Sequence, residues 1–327
     1  MLDLTRRLAT AATVLAATLA LAPGAHAQAP AYPAQPVRFL IAFAPAGPAD
    51  IIGRIVGLKL QQLWGQSVVI ENRGGAGGNI AAVQVARGQP DGYTVLVSTS
   101  AFAVNPSLYK NPGYAGETDF KVAGLAATTP NLIVAAPDLG AKTLKDVIAL
   151  SKTKSLAFGS AGTGTTPHLS GERIFRFLAK VDIPHAPFTG AGPALNAVMG
   201  GHVALASVAM PAATELVKSD KVVPLAVTSA KRVEALPNVP TVAEAGLDEV
   251  DDATWVALFV PAKTPQAVID KLNADLNTVL KDQDVKEQFA RIGFSALGGS
   301  QADAERFVKA EITKWGDVVN RIGLKID

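Results

Sequence analysis

The sequence predicts an α/β fold: mostly parallel sheets flanked by helices and divided between two lobes. Three observations lead there. Apolar runs of strand length alternate with stretches of helical periodicity along nearly the whole chain. The turns after several strands are built from glycine, alanine, serine and threonine. An apolar run at 255–260 then returns the chain from a second α/β set to the first, so that two crossings join the lobes around a cleft.

Strands are expected at 37–43, 68–71, 94–98, 122–126, 132–136, 156–159, 183–187, 203–208, 222–228 and 254–261. Helices are expected at 51–64, 80–87, 144–150, 167–178, 191–199, 212–218, 265–281, 284–291 and 301–321. In the first helix Ile51, Ile52, Ile55, Val56, Leu58, Leu60 and Leu63 recur at helical spacing, with Asp50 as its N-cap candidate. Pro167 suits a first helical position, whose N–H has no partner in any case. The last helix gathers Phe307, Ile312, Trp315, Val319 and Ile322 on one face, to pack on the first lobe. The division expected is 28–131 with 230–327 for lobe 1, and 132–229 for lobe 2.

Residues 1–27 are expected to be a secretory signal: Arg6 and Arg7, an apolar run over 8–21, and Ala25-His26-Ala27 as the cleavage signature. Cleavage after Ala27 would leave an exported chain with no later membrane insertion, and the periplasm is the expected location. Cysteine is absent, which excludes disulfides and catalytic thiols. A net charge of +2, from 30 basic and 28 acidic residues, gives no footprint for nucleic acid.

No local motif announces catalysis. The four histidines have no metal-ligand spacing, and there is no G-x-S-x-G elbow, phosphate-loop lysine motif or H-E-x-x-H. Gly162-Thr163-Gly164 and Gly190-Ala191-Gly192 each begin as G-x-G, but Pro167 and Leu195 stand where a dinucleotide fingerprint needs its third glycine. No cofactor is expected. The positive signal is the set of small-residue turns. In residues 44–50 no long side chain keeps a ligand from the backbone N–H groups at a helix start, which suits an anion. Thr163, Thr165 and Thr166 add hydroxyls at a second helix start. Asp50 is read either as a cap or as the receiver of a ligand ammonium or hydroxyl.

The chain resembles the Bug-type receptors, the extracytoplasmic solute-binding component associated with tripartite tricarboxylate transporters. The marks are Tyr32-Pro33 with Pro36-Val37-Arg38, then Phe43, Gly47 and Asp50, then Glu71-Asn72-Arg73 with Gly77-Gly78-Asn79. Pro90-Asp91-Gly92-Tyr93-Thr94, Asn105-Pro106-Ser107-Leu108-Tyr109, Ser160-Ala161-Gly162 through Pro167-His168-Leu169, the run from Ala226 to Arg232, and Pro237-Asn238-Val239-Pro240-Thr241 follow in order. The resemblance implies a type II-like periplasmic binding fold closing on a small carboxylate, a monomer whose partners are membrane subunits of a transporter or a sensor protein. The positions it implies for the ligand are Phe43, Ala46, Gly47 and Asp50 on the first loop, Thr99 and Ser100 after the third strand, and Ser160, Thr163, Gly164, Thr165, Thr166, Thr189 and Val208 on the opposing lobe. Four departures from the family pattern stand out: Pro45-Ala46-Gly47-Pro48 for a Pro-Gly-Gly-like core, Thr189 for a basic residue, Val208 and Ala209 where many members have an Asp or another polar residue, and Ala257 for a glycine. They suggest a ligand with one carboxylate and an apolar or aromatic body. An exported α/β enzyme acting on a small acid and a sensing subunit remain the alternative readings.

Overall fold

An unbroken apolar run, VRFLI, makes β1 (Val37–Ile41), a strand almost entirely buried because helices cover both faces of its sheet. The structure is a computed structural model describing residues 32–326, so the expected signal at 1–27 lies outside the described residues. Two strands pair with β1 in parallel, β2 (Val68–Asn72) and β3 (Thr94–Thr99). Helices α1 (Pro48–Trp64) and α2 (Asn79–Ala86) make the crossovers. A short helix, α3 (Ala101–Leu108), follows β3 and has no counterpart in the sequence reading. Its first residues are apolar on every side and Pro106 stands inside it, so it shows no amphipathic period; burial is what forms it.

The next strand, β4 (Phe120–Ala135), is 16 residues long where the sequence reading expects two separate strands. Pro130 accounts for the discrepancy. It reads as a breaker, but it sits where β4 changes partners, the place in a sheet where a missing N–H is tolerated. Beyond β4 come α4 (Leu144–Leu150), β5 (Phe158–Ser160), and α5 (Thr166–Glu172), which continues as a π-helical turn Arg173–Leu178. Then follow β6 (His185–Pro187), α6 (Ala191–Met199), β7 (Leu205–Ala209), α7 (Thr214–Lys218) and β8 (Val223–Val227). The chain returns through β9 (Ala253–Pro261) and ends in α8 (Gln266–Lys281), α9 (Gln283–Ile292), the short β10 (Ser295–Ala296) and α10 (Gln301–Ile322).

The strand order is β2-β1-β3-β9-β4-β7-β5-β6, with β8 and β10 also on β4. The α/β architecture is the one the sequence predicts, but the sheet is mixed rather than mostly parallel. Each lobe keeps a parallel set, β2-β1-β3 and β7-β5-β6, while β9 runs antiparallel to β3 and β4, and β4 runs antiparallel to β7 and β8. The cause is connectivity: the strands that carry the chain out of one lobe and back into it run in opposite senses.

Each lobe has its own core. In the first, Phe102 stacks on Phe259 at 4.1 Å between centroids, with Phe120 edge-on at 5.3 Å and Tyr114 at 5.5 Å. Trp255 and Trp315 are buried in the same cluster. The second lobe has apolar layers on both faces of its sheet, because side chains alternate along β4: Leu132 and Val134 join one layer, Ile133 and Ala135 the other. Among the described residues no helix is long and apolar enough to cross a membrane. The stacked aromatics yield a direct expectation. Phe259→Ala removes the ring on which Phe102 lies and should lower unfolding free energy by about 3–5 kcal/mol, read from the denaturant midpoint at constant slope.

Candidate functional site

A cleft of about 400 Å³ opens between the lobes. Its first wall is the loop between β1 and α1, contributing Phe43, Ala44, Pro45, Ala46, Gly47 and Pro48. Thr99, at the end of β3, and Thr254, on β9, stand beside it. The opposing wall is made by Ala161, Thr165, Thr166 and Pro167, by residues 189–193, and by Ala209 and Ala212. None of these lining residues carries an ionisable side chain. Polarity comes from backbone and hydroxyl groups.

Three helix starts converge on this cleft. α1 begins at Gly47 with Pro48 at its first helical position, α5 is capped by Thr165, and α6 begins at Gly190. The first turns of α1 and α6 have no side-chain cap, so their leading amides are open to a ligand. A helix N-terminus favours negative charge by about 0.3–1 kcal/mol when exposed and by up to about 2 kcal/mol when partly buried.

Asp50 is not the N-cap. Pro48 is pre-set for helical φ and starts the helix earlier than expected, which puts Asp50 in the first turn. From there its carboxylate reaches back to accept the Ala46 amide at 3.0 Å, Asn72 Nδ2 at 2.9 Å and Arg54 Nε at 3.0 Å. Asn72 also donates to the Phe43 carbonyl at 3.0 Å. Burial alone would raise the Asp50 pKa, but the hydrogen bonds from Arg54, Ala46 and Asn72 outweigh it and hold the carboxyl below its usual range. Asp50 therefore shapes the loop and does not line the cleft. The loop needs this support because Ala46 sits at φ 64°, a left-handed conformation that costs a residue with a Cβ about 1 kcal/mol or more.

Phe43, Ala46, Gly47, Thr99, Thr165, Thr166 and Thr189 line the cleft. The other sequence candidates stand behind it. Ser100 is fully buried and bonds Thr166 at 2.9 Å. Ser160 is fully buried and bonds His185 Nε2 at 2.7 Å. Thr163 is on the same loop outside the lining. Gly164 is at φ 83° with Leu108 packed so closely that a Cβ would collide with it. Val208 faces the second-lobe core, and its neighbour Ala209 faces the cleft instead, as alternation on β7 requires. Ala209 is one of the family-pattern departures, whereas Thr254 and Ala212 were missed. The sheet brings them to the cleft from distant segments, and nothing in their local sequence marks them; the Gly190-Ala191-Gly192 turn was a visible signal.

Beneath the cleft a chain of buried polar groups joins the lobes. Thr166 meets Thr254 at 2.8 Å, and Thr254 donates to Asn131 Oδ1 at 2.8 Å. Asn131 Nδ2 donates to Ser170 at 3.0 Å, and Ser170 to Asp252 at 3.2 Å. Asp252 is completely buried between Arg173, at 3.0 Å, and Lys314, at 3.7 Å. Burial pushes its carboxyl up while the two cations oppose the shift. A larger hollow of about 580 Å³ lies elsewhere on the second lobe, beside α4 and residues 235–240, and takes in none of the candidate residues.

A family model, the tripartite tricarboxylate transporter family receptor, matches residues 52–324. The chain belongs to this receptor family. A UPF0065 protein of Agrobacterium vitis is 36% identical over 297 residues, covering 89% of this chain and 86% of that protein. BugT of Bordetella pertussis is 33% identical, covering 99% and 100%. Among solved structures, the periplasmic binding protein BugD superposes with a TM-score of 0.85 at 34% identity, covering 90% and 99%. An R. palustris protein solved with adipate gives 0.86 at 33%, covering 90% and 99%. MatC from Rhodopseudomonas palustris with bound malate gives 0.79 at 30%, covering 88% and 100%.

Two expectations follow from the geometry of this receptor's site. Ala46→Gly relieves the left-handed strain and should raise the thermal midpoint, by the equivalent of about 0.5–1 kcal/mol. The second concerns His168 and His185, whose rings lie 3.8 Å apart behind the second wall. Burial, with a further contribution from His185, pulls His168 down to about 3, and burial pulls His185 down to about 4. Both stay neutral in the native state after the unfolded chain has begun to protonate near pH 6.5. Stability therefore falls as pH drops below about 6.5, and continues to fall toward pH 4. Denaturant titrations at stepped pH should show this slope, and His168→Gln should flatten it.

Proposed function

We propose that this receptor is exported to the periplasm, captures a small carboxylate between its lobes and delivers it to the membrane subunits of a tripartite transporter. The observation that carries this reading is the convergence of the α1 and α6 N-termini on a cleft with no ionisable side chain. Such a site favours an anion through backbone amides and helix dipoles, without a lysine or arginine. Structural relatives solved with adipate and malate support the carboxylate class. Ligand that bridges both walls binds the closed arrangement more tightly and so draws the lobes together. Membrane subunits would then recognise the closed form. Nothing in the cleft supplies a nucleophile with a base in reach, so capture without turnover is the reading that fits.

The rest of the ligand is read from the opposing wall. Ala161, Pro193, Ala209 and Ala212 give it an apolar surface, and Thr165, Thr166 and Thr189 are its uncharged polar groups. This wall suits an acid with one carboxylate and an apolar or aromatic body. Isothermal titration of the mature protein against benzoate, hexanoate, malate and citrate tests the proposal. A monocarboxylate should bind most tightly, and tight citrate binding with none for the monocarboxylates would overturn it.

A further inference from the structure

The buried chain beneath the cleft has a direction. Asp252 is a carboxylate held by Arg173 and Lys314, and an ionised carboxylate only accepts hydrogen bonds. Ser170, 3.2 Å away, must therefore donate to it. Ser170 has a single hydrogen, so it accepts from Asn131 Nδ2, and that fixes the Asn131 amide with Oδ1 toward Thr254. Thr254 gives its one hydrogen to Asn131. The 2.8 Å contact between Thr166 and Thr254 must then be a donation from Thr166. By the same count, the 2.9 Å contact between Ser100 and Thr166 is a donation from Ser100. Every hydroxyl hydrogen in the series is committed to the next member in the direction of Asp252, so none is left for the cleft.

Thr166 and Thr254 are the most deeply buried hydroxyl residues lining the cleft, at 1% and 3% exposure, so they form its floor. We propose that Asp252, acting through Ser170 and Asn131, is a positioning residue that sets the polarity of this floor and thereby selects the ligand. With their hydrogens committed, Thr166 and Thr254 offer a ligand only lone pairs or methyl groups. The floor takes a C–H surface or a hydrogen-bond donor such as a hydroxyl, and it rejects a carboxylate oxygen, which would face acceptors. Anion capture falls to the helix starts and to Thr99, whose oxygen accepts from the Ala101 amide at 3.3 Å and whose hydrogen is left for the cleft. Specificity in this form works by exclusion, through groups that the unwanted ligand cannot satisfy.

This inference rests on the carboxylate reading above, and a chain-length-matched set of acids separates the two. Hexanoate, 6-hydroxyhexanoate and adipate differ only in presenting a methyl, a donor or a carboxylate at the far end. Wild type should bind the first two at least about tenfold more tightly than adipate, the scale of leaving one buried polar group unpaired. Ser170→Ala removes the link to Asp252 from outside the cleft. The Asn131 amide is then free to turn over, and the Thr254 hydrogen is released toward the ligand. The preference against adipate should shrink about tenfold, and Ser170→Thr, which restores the hydroxyl, should return it. If none of the acids binds wild type, the carboxylate reading falls and this inference with it. If the acids bind and the preference is the same in folded Ser170→Ala as in wild type, the inference alone is overturned. Should Ser170→Ala fail to fold, Thr254→Val carries the same test, because it removes the acceptor that holds the Thr166 hydrogen; an unchanged preference there overturns the inference equally.

Discussion

The structure depends on one buried carboxylate. Asp252 lies just before β9, with no exposure to solvent, and gathers groups from both lobes: Arg173 and Ser170 beside α5, Lys314 on α10, and Asn131 on β4 through Ser170. A charge in that position is tolerable only when paired and hydrogen-bonded, and its partners come from two distant stretches of chain, with a third, β4, reached through Ser170. Fixing Asp252 therefore fixes how β4, β9, α5 and α10 meet. Thr228 adds a second tie at the same place. It accepts the Asn131 amide at 2.9 Å and donates to the Asp252 carbonyl at 2.5 Å, which joins the outgoing and returning segments.

The cleft is the counterpart of this arrangement. Charge is concentrated behind it, at Asp50 with Arg54 and at Asp252 with Arg173 and Lys314, while its surface is left to backbone, hydroxyl and apolar groups. Ionised groups set the geometry of both walls without touching what lies between them. On the proposed function such a division would ease release, because an anion held by backbone and hydroxyl groups has no side-chain ion pair to break.

Much of this was legible in the sequence, and the reason lies in sequence range. Helices 144–150 and 191–199 fall where the local pattern puts them, since caps and periodicity are written within a few residues. The loops that line the cleft were recognisable as runs of small residues after strands. What escaped depends on distant partners. α3 owes its form to burial and not to an amphipathic pattern. The continuity of β4 through Pro130 is set by its neighbours across the sheet. Asp50 was named for its chemistry and Ser100 through the family resemblance, yet both turn inward to bonds that only the folded chain supplies. Asp252 looked like an ordinary residue ahead of an apolar strand, and Thr254 like that strand's first residue.

The place where β4 changes partners has a hydrogen-bonding meaning. Pro130 has no amide hydrogen to give, and the Asn131 amide goes to a hydroxyl and not to a neighbouring strand. Two consecutive residues of a 16-residue strand thus give no amide hydrogen to the ladder. β4 therefore passes from its pairing with β9 to its pairing with β7 and β8 without orphaning a buried donor between them. A change of partner inside a buried sheet would otherwise leave such a donor unpaired, and a proline followed by a residue whose amide meets the Thr228 hydroxyl removes that cost.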